Sequence, residues 1–402
     1  MKVAYVTPRY GLEVLGGAEL GARMLAERLV NPPPGTNGAG GGASGWEVEI
    51  FTTCALDART WADHYPPGTS VVNGVTVHRF ASRAGRDPGF EAFSATVLAR
   101  PRAASPAEER RWIDLQGPVC PDLVEAVAAG DADVVVFYPY LYFPTVRAIE
   151  RVAGRAVMHP AAHDEPPLYL PCFQSVFGAS RGFVFQTQSE RRLVEHLFPV
   201  AHVPQVVMGL GVDPVPADPA VARHRLGLGD RPYLCCVGRV DEGKGTGMLV
   251  RFFAAYKKRH PGPLALALVG PVVDRPDPHP DVIVAGPVDE ETKWGALRGA
   301  LALVSPSAFE AFSLVLVEAW TAGLPVVVNG ACEPTREHCR RSGGGLWFGG
   351  YGSFEAVVDR LVGDERLRAV LASQGAGYAQ RHFAWPKIIS RYRRFLERAV
   401  PT

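Results

Sequence analysis

Glu310 and Glu318, with seven residues between them, are the pair of side chains from which the chemistry of this chain is most readily argued. A carboxylate accepts hydrogen bonds and donates none, so such a pair suits a ligand rich in hydroxyl groups. The surrounding elements supply the complement. The apolar residues 300–304 read as a buried strand, residues 305–312 as a loop, and Ser313 as the N-cap of a helix that stops at Gly323, ahead of Pro325. A second short apolar run, residues 325–328, follows. Backbone N–H groups around Phe312, Ser313, Leu314 and Val315 would then point beyond the strand's carboxyl end, where the helix dipole favours an anion such as a diphosphate. Glu310 falls in the loop and Glu318 in the second turn of the helix. A ligand with hydroxyls at one end and a diphosphate at the other meets both demands, and a nucleotide sugar is such a ligand.

Two glutamates on a surface helix are more often solvated charges, so the longer string carries the weight. Glu310-(seven residues)-Glu318, preceded by Pro306-Ser307 and followed by Ala-x-x-x-Gly-x-Pro-Val-Val, resembles the signature of the family-4 retaining glycosyltransferases, the glycosyl transferases group 1 of GT-B fold. The resemblance implies an α/β chain of two Rossmann-like domains facing each other across a central cleft. The nucleotide-sugar donor would lie mainly on the C-terminal domain and the acceptor mainly on the N-terminal one.

Composition agrees with a soluble chain of more than one core. It has 402 residues, 47% of them hydrophobic, and a formal net charge of +1, so no overall field argues for nucleic acid. Seven cysteines, an odd number without a C-x-x-C pair, indicate neither a disulfide framework nor a zinc site. The first residues become a strand too quickly for a signal peptide, and no apolar run reaches membrane-spanning length, so a cytoplasmic location is expected. Peripheral contact with a membrane stays compatible with this.

Along the chain, strands alternate with helices, which predicts parallel sheets. Residues 2–6 read as the first strand, and Gly16-Gly17-Ala18-Glu19 opens a helix after a loop over residues 7–15. Glycines there allow close approach to a phosphate, or only a tight turn. By resemblance, Gly16 and Gly17 belong to the loop that approaches the donor diphosphate. Residues 31–45 are a low-complexity stretch read as a mobile surface insertion. Strands follow at 47–53 and 75–80, then an arginine-rich polar segment over 82–111, a helix running through Val127, and a strand at 133–138.

Residues 156–159 form the next strand, ending in His159-Pro-Ala-Ala-His163-Asp164-Glu165. Ionisable residues beyond a strand's carboxyl end occupy the usual ligand crevice of an open α/β sheet. His163 and Asp164 are therefore candidate acceptor-side residues, ahead of His159, and the resemblance implies that His163 faces the transferred sugar or the acceptor. Residues set side by side in sequence make a poor metal site, and no metal or other cofactor is expected. After strands at 182–186 and 203–208, the proline-rich residues 209–219 break all periodicity. The expected domains are residues 1–210 and 211–385, with the last helix, 386–402, returning to the first.

The second half opens with a strand at 233–237 and the turn Gly238-Arg239-Val-Asp-Glu-Gly-Lys244-Gly245, with a helix from Thr246. Two cations off a strand end can neutralise a diphosphate leaving group without a metal, and the spacing resembles the family's diphosphate-binding pair. Further strands at 264–269 and 282–285 precede Gly286-Pro287-Val288, whose backbone, by resemblance, receives the nucleotide base. Gly286 and Val288 thus join Glu310, Phe312, Ser313, Leu314 and Glu318 as donor-binding candidates, with Glu310, His163, Arg239 and Lys244 as catalytic ones. The expected reaction is retaining transfer of a hexose-type sugar from a UDP- or GDP-linked donor to a hydroxyl of a glycan, lipid or small metabolite. A nucleotide-sugar epimerase or hydrolase of the same fold, and a non-catalytic nucleotide-sugar-binding partner, stay open as alternatives.

Overall fold

A computed structural model describes residues 1–14, 16–36 and 45–399. Leu15, most of the low-complexity stretch (37–44) and the last residues from Val400 lie outside the described residues. The chain divides into two units, Met1–Leu210 with Trp385–Thr402, and Gly211–Ala384.

The first unit is built on eight strands: β1 (Lys2–Val6), β2 (Glu47–Thr53), β3 (Gly68–Val72), β4 (Val75–Phe80), β5 (Val134–Phe137), β6 (Ala156–Met158), β7 (Gly182–Phe185) and β8 (Gln205–Val207). They lie in the order β3-β4-β2-β1-β5-β6-β7-β8, parallel except for β3. β1, β5 and β7 are almost wholly buried, as expected of strands covered by helices on both faces, which is why they read as continuous apolar runs.

Two parts of this unit depart from the sequence expectation. β3 is an added antiparallel edge strand, turned into β4 by Asn73-Gly74 with φ of 49° and 83°. An Asn-Gly pair supplies the two left-handed residues of a tight hairpin, so the signal was present but the flanking residues 68–72 are too exposed to show strand periodicity. Where a polar segment over 82–111 and then one helix through Val127 were expected, there are three α-helices, Phe90–Leu98, Pro106–Gln116 and Pro121–Ala129. Proline stands in the first turn of the latter two, where its missing N–H costs nothing, and Ser105 caps the middle one in a reciprocal capping box with Glu108.

The helix Trp385–Ala399 packs within the first unit. Tyr5 donates to the Tyr392 hydroxyl at 2.7 Å, Arg28 stacks on the Trp385 ring at 4.0 Å, and Arg393 donates to the Leu29 carbonyl at 2.9 Å. Arg393 is therefore buried, while Arg391, itself exposed, donates to the Val207 carbonyl at 3.2 Å, and Arg394 is exposed.

The second unit has six strands, all parallel: β9 (Tyr233–Val237), β10 (Ala265–Val269), β11 (Val282–Gly286), β12 (Ala302–Ser305), β13 (Val326–Asn329) and β14 (Gly345–Phe348), in the order β11-β10-β9-β12-β13-β14. Strand order reverses between β9 and β12, where Leu303 pairs with Cys235. Loops leaving the carboxyl ends of two such strands diverge to opposite faces and leave a crevice between them. All seven cysteines are free thiols. No helix among the described residues is long and apolar enough to cross a membrane.

Candidate active site

The crevice between β9 and β12 brings together two of the sequence candidates. The loop after β9 carries Arg239 and Lys244, and the loop after β12 carries Glu310. Lys244 Nζ donates to Glu310 Oε1 at 2.6 Å, with the two side chains 36% and 17% exposed. The loops also meet through their backbones. Gly245 has φ of 73°, and a Cβ there would sit 2.8 Å from the Pro306 carbonyl oxygen, which already accepts from Asn329 Nδ2 at 2.9 Å. Only glycine allows both the left-handed backbone and that approach.

Asp241, not among the sequence candidates, organises the β9 loop. Its carboxylate accepts the Lys244 backbone N–H at 2.7 Å and pairs with the Arg239 guanidinium, and its carbonyl accepts from Thr246 Oγ1 at 3.0 Å. Arg239 remains more than half exposed, so its charge is available to solvent or ligand. The signal that could have found Asp241 is its place between the two cations, where a buried acceptor is needed to keep them from splaying.

The helix expected to begin at Ser313 spans Leu314–Thr321, but Ser313 does not cap it. Its backbone is left-handed (φ 66°, ψ 77°) and its side chain makes no capping bond. A non-glycine residue in this region costs on the order of 1–2 kcal/mol and persists only where its surroundings impose it. The Phe312 ring points into the interior, edge-on to His338 and to Phe383 at 5.2 Å each. Glu318 is also paired: Lys293 Nζ reaches Glu318 Oε1 at 2.9 Å and Glu290 at 2.7 Å. Burial works against the Lys293 charge, but Glu318 and Glu290 outweigh it and raise its pKa. Lys293 was missed because its partner lies on another helix.

Gly286 (φ 73°) ends β11, and Val288 lines a cavity of about 430 Å³ together with Arg225, Val284, Ala285, Asp289 and Thr292. Asp289 caps the helix Glu290–Gly299 by accepting the Thr292 N–H at 2.7 Å. Arg225 closes one side, donating to Thr292 Oγ1 at 2.7 Å and to Asp289 at 3.1 Å.

In the first unit, Gly16 precedes the helix Gly17–Val30 and packs against the Arg9 and Glu19 side chains: a Cβ would lie 2.3 Å from Glu19 Oε2 and 2.9 Å from Arg9 Nη2. Arg9 and Glu19 form a buried ion pair at 2.5 Å, while Gly17 has open space around its Cα. After β6, His159 is a core residue. It stacks on Tyr138, its Nε2 lies 3.0 Å from the Tyr392 hydroxyl, and burial pushes its pKa down to about 3. His163 is partly exposed, with Nδ1 3.0 Å from Glu165 Oε1, and Asp164 accepts from the Tyr169 hydroxyl at 2.5 Å. Beneath them Glu190 is 1% exposed, and burial pushes its pKa up to about 7 against the backbone N–H groups of Gln186 and Ala162 that favour its charge. Among the described residues, no group of three or more His, Cys, Asp or Glu side chains is arranged to hold a metal ion.

These groups make stability depend on pH. His338 is buried, its Nε2 has no hydrogen-bond partner among the described residues, and burial lowers its pKa to about 4. An unfolded histidine takes up a proton near pH 6.5, so the stability that His159 and His338 contribute is present above that pH and lost as it falls, at about 1.4 kcal/mol per pH unit for each. Glu190 has the opposite sign: its folded pKa is raised, so its contribution is present below about pH 4.5 and lost as pH rises to about 7. Two groups against one predict a net loss of stability from pH 6.5 to 4.5. His338→Gln should remove about 1.4 kcal/mol per unit from that slope, read by urea unfolding at pH 6.5 and 5; an unchanged slope would rule out a neutral, buried His338.

Comparison with known proteins bears on what this arrangement is. Residues 231–363, which include β9 to β14 and the Lys244–Glu310 pair, match the family described as Glycosyl transferases group 1. A D-inositol 3-phosphate glycosyltransferase of Frankia alni is 27% identical over 409 residues, covering 88% of this chain and 93% of that protein. Sucrose-phosphate synthase from Thermosynechococcus elongatus superposes with a TM-score of 0.68 at 17% identity, covering 99% of this chain and 98% of the other. HepE from Anabaena, crystallised in complex with UDP-glucose, gives 0.68 at 16% identity over 99% and 100%. The group 1 match lies in the second unit, and the two parallel-sheet α/β units together have the GT-B fold of these solved structures.

Proposed function

We propose that this protein is a retaining, metal-independent hexosyltransferase that uses a nucleoside-diphosphate sugar, UDP- or GDP-linked, and glycosylates a hydroxyl-bearing acceptor. The observation that carries the reading is the meeting of Lys244 and Glu310 where strand order reverses between β9 and β12. There the Arg239 and Lys244 charges would take up the negative charge that grows on the departing diphosphate, with the backbone around Ser313 as further donors. Glu310 would accept from sugar hydroxyls and lie near the positive charge of the oxocarbenium-like sugar. Glu318 would accept from the ribose hydroxyls, held in place by Lys293, and the cavity at Val288 suits a base.

The C1–O bond to the phosphate breaks as a bond from the acceptor oxygen to C1 forms on the same face. The acceptor's proton passes to the departing phosphate oxygen, so no protein nucleophile is required. Acceptor binding falls to the first unit, with His163 and Asp164. The relatives named for inositol phosphate make a polyol one acceptor to try first. A cytoplasmic site of action fits a nucleotide-sugar donor, and peripheral attachment to a membrane is part of the same proposal for a lipid acceptor.

The test is thermal unfolding with UDP, GDP, ADP, TDP and NAD, because a ligand at 100 times its Kd adds about 2.7 kcal/mol. A shift with one nucleoside diphosphate, lost in Arg239→Ala/Lys244→Ala, supports the donor site. A shift with NAD alone, or with none of the five, overturns it. Donor turnover that never transfers sugar to any acceptor would favour an epimerase or hydrolase, and binding without turnover a non-catalytic partner.

A further inference from the structure

The geometry points to Glu190 as the positioning residue of His163, tying the loop that carries it to the start of the helix Gln188–Leu197. This rests on the acceptor-side role proposed for His163.

Thr187 caps that helix, its Oγ1 accepting the Glu190 N–H at 3.1 Å. A glutamate three residues after the cap ordinarily turns back to the cap residue's own N–H, at the surface. Glu190 also faces the Thr187 N–H, which favours its charge, and reaches further. Its Oε2 accepts the Gln186 N–H at 2.6 Å and its Oε1 accepts the Ala162 N–H at 2.9 Å, across 28 residues of chain. A buried carboxylate is costly unless its oxygens are bonded, and a local cap would not require the burial. What the burial achieves is the tie to Ala162.

The loop at the other end needs such a tie. Ala161 has φ of 51°, a left-handed conformation that alanine adopts at a cost, and Ala162 is 1% exposed. Tyr140 N–H bonds the Pro160 carbonyl at 3.3 Å, and His159 N–H bonds the Phe137 carbonyl at 2.9 Å. The turn is thus held on its β5 side by two backbone bonds and on its β7 side by Glu190, and His163 is the next residue. The ionisable groups that face Glu190 are His163 from this loop and Tyr138 from the end of β5, whose hydroxyl accepts from Gln186 Nε2. The carboxylate can accept from both N–H groups at once. Glutamine offers one acceptor oxygen and sets an NH2 against the other N–H.

The experiment compares Glu190→Gln, His163→Ala and the double variant for turnover of UDP-glucose, or of the donor selected by the thermal screen, together with amide exchange at Ala162 and His163. Glu190→Gln should lower kcat by about 10–100-fold, the range expected when a catalytic group is misplaced by about an ångström, with donor KM within about 2-fold. In the His163→Ala background the same change should cost little more, because coupled residues do not add. Exchange at Ala162 should rise about 10-fold or more while the sheet's amides stay protected. Losses that multiply in the double variant, or unchanged exchange at Ala162, would overturn the inference. If Glu190→Gln does not fold, Glu190→Asp, which keeps the charge and shortens the reach, is read by the same two criteria. If the wild type turns over no donor, the reading of the site fails, and exchange alone decides whether Glu190 holds the loop.

Discussion

Arg239→Ala/Lys244→Ala should lower turnover of the nucleotide sugar by about 10³-fold, since removing even one preorganised group that stabilises developing charge costs about 10²–10³. The two side chains sit on one loop braced by Asp241, beside the point where strand order reverses. Both cations are well exposed, but their partners Asp241 and Glu310 are not, so stranding the two carboxylates should also lower thermal stability modestly. The diagnostic is the disproportion: turnover and nucleotide response should be lost far beyond what the modest fall in the unfolding temperature explains. Lys244→Ala alone also strands Glu310, which is mostly buried and would lose its cation. Adding Glu310→Gln removes that penalty, so the Lys244→Ala/Glu310→Gln variant should regain donor binding relative to Lys244→Ala while turnover stays low. Full activity in Glu310→Gln would refute a role for that carboxylate, and full activity in the double alanine variant would refute the diphosphate site.

Gly245→Val should cost about 2 kcal/mol or more of stability and most of the activity. Its backbone is left-handed, which costs a β-branched residue on the order of 1–2 kcal/mol, and the new Cβ meets the Pro306 carbonyl oxygen at 2.8 Å. Backbone cannot yield as a flexible side chain would, so the loop after β9 must move away from the loop after β12, and the Lys244–Glu310 pair must separate with it. The unfolding temperature should fall by roughly 5 °C. Gly349→Ala is the control: nothing lies within 4 Å of its added Cβ, so both readings should stay at wild type. An active Gly245→Val with an unshifted transition would mean that the contact between the two loops is not required.

Much of the fold was legible because it is locally encoded. Strands such as β5 and β10 announce themselves as short apolar runs because both faces are covered, and the helix start at Asp289 is marked by a side chain that accepts the first free N–H groups. Where local signals were weak the expectation failed. β3 is mostly exposed and shows no apolar alternation, and the segment 82–127 hides its breaks in prolines that sit harmlessly in first turns. Ser313 looked like a cap by residue type, yet its backbone is set by the packing of Phe312 among His338 and Phe383.

By itself, the sequence determined the kind of protein and the types of side chain available, because a parallel α/β rhythm and a string of glutamates, glycines and cations are properties of neighbouring residues. Only the tertiary structure decided who meets whom. Lys244 and Glu310 are 66 residues apart, Lys293 and Glu318 are 25 apart, and each pairing depends on the order in which strands were laid into a sheet. The same holds for the two histidines after β6. Similar in sequence context, they differ because His159 ends up under Tyr138 and Tyr392, where desolvation keeps it neutral, while His163, the residue after the Ala162 tie, stays partly exposed. Burial is a property of the packed chain as a whole, and no window of sequence contains it.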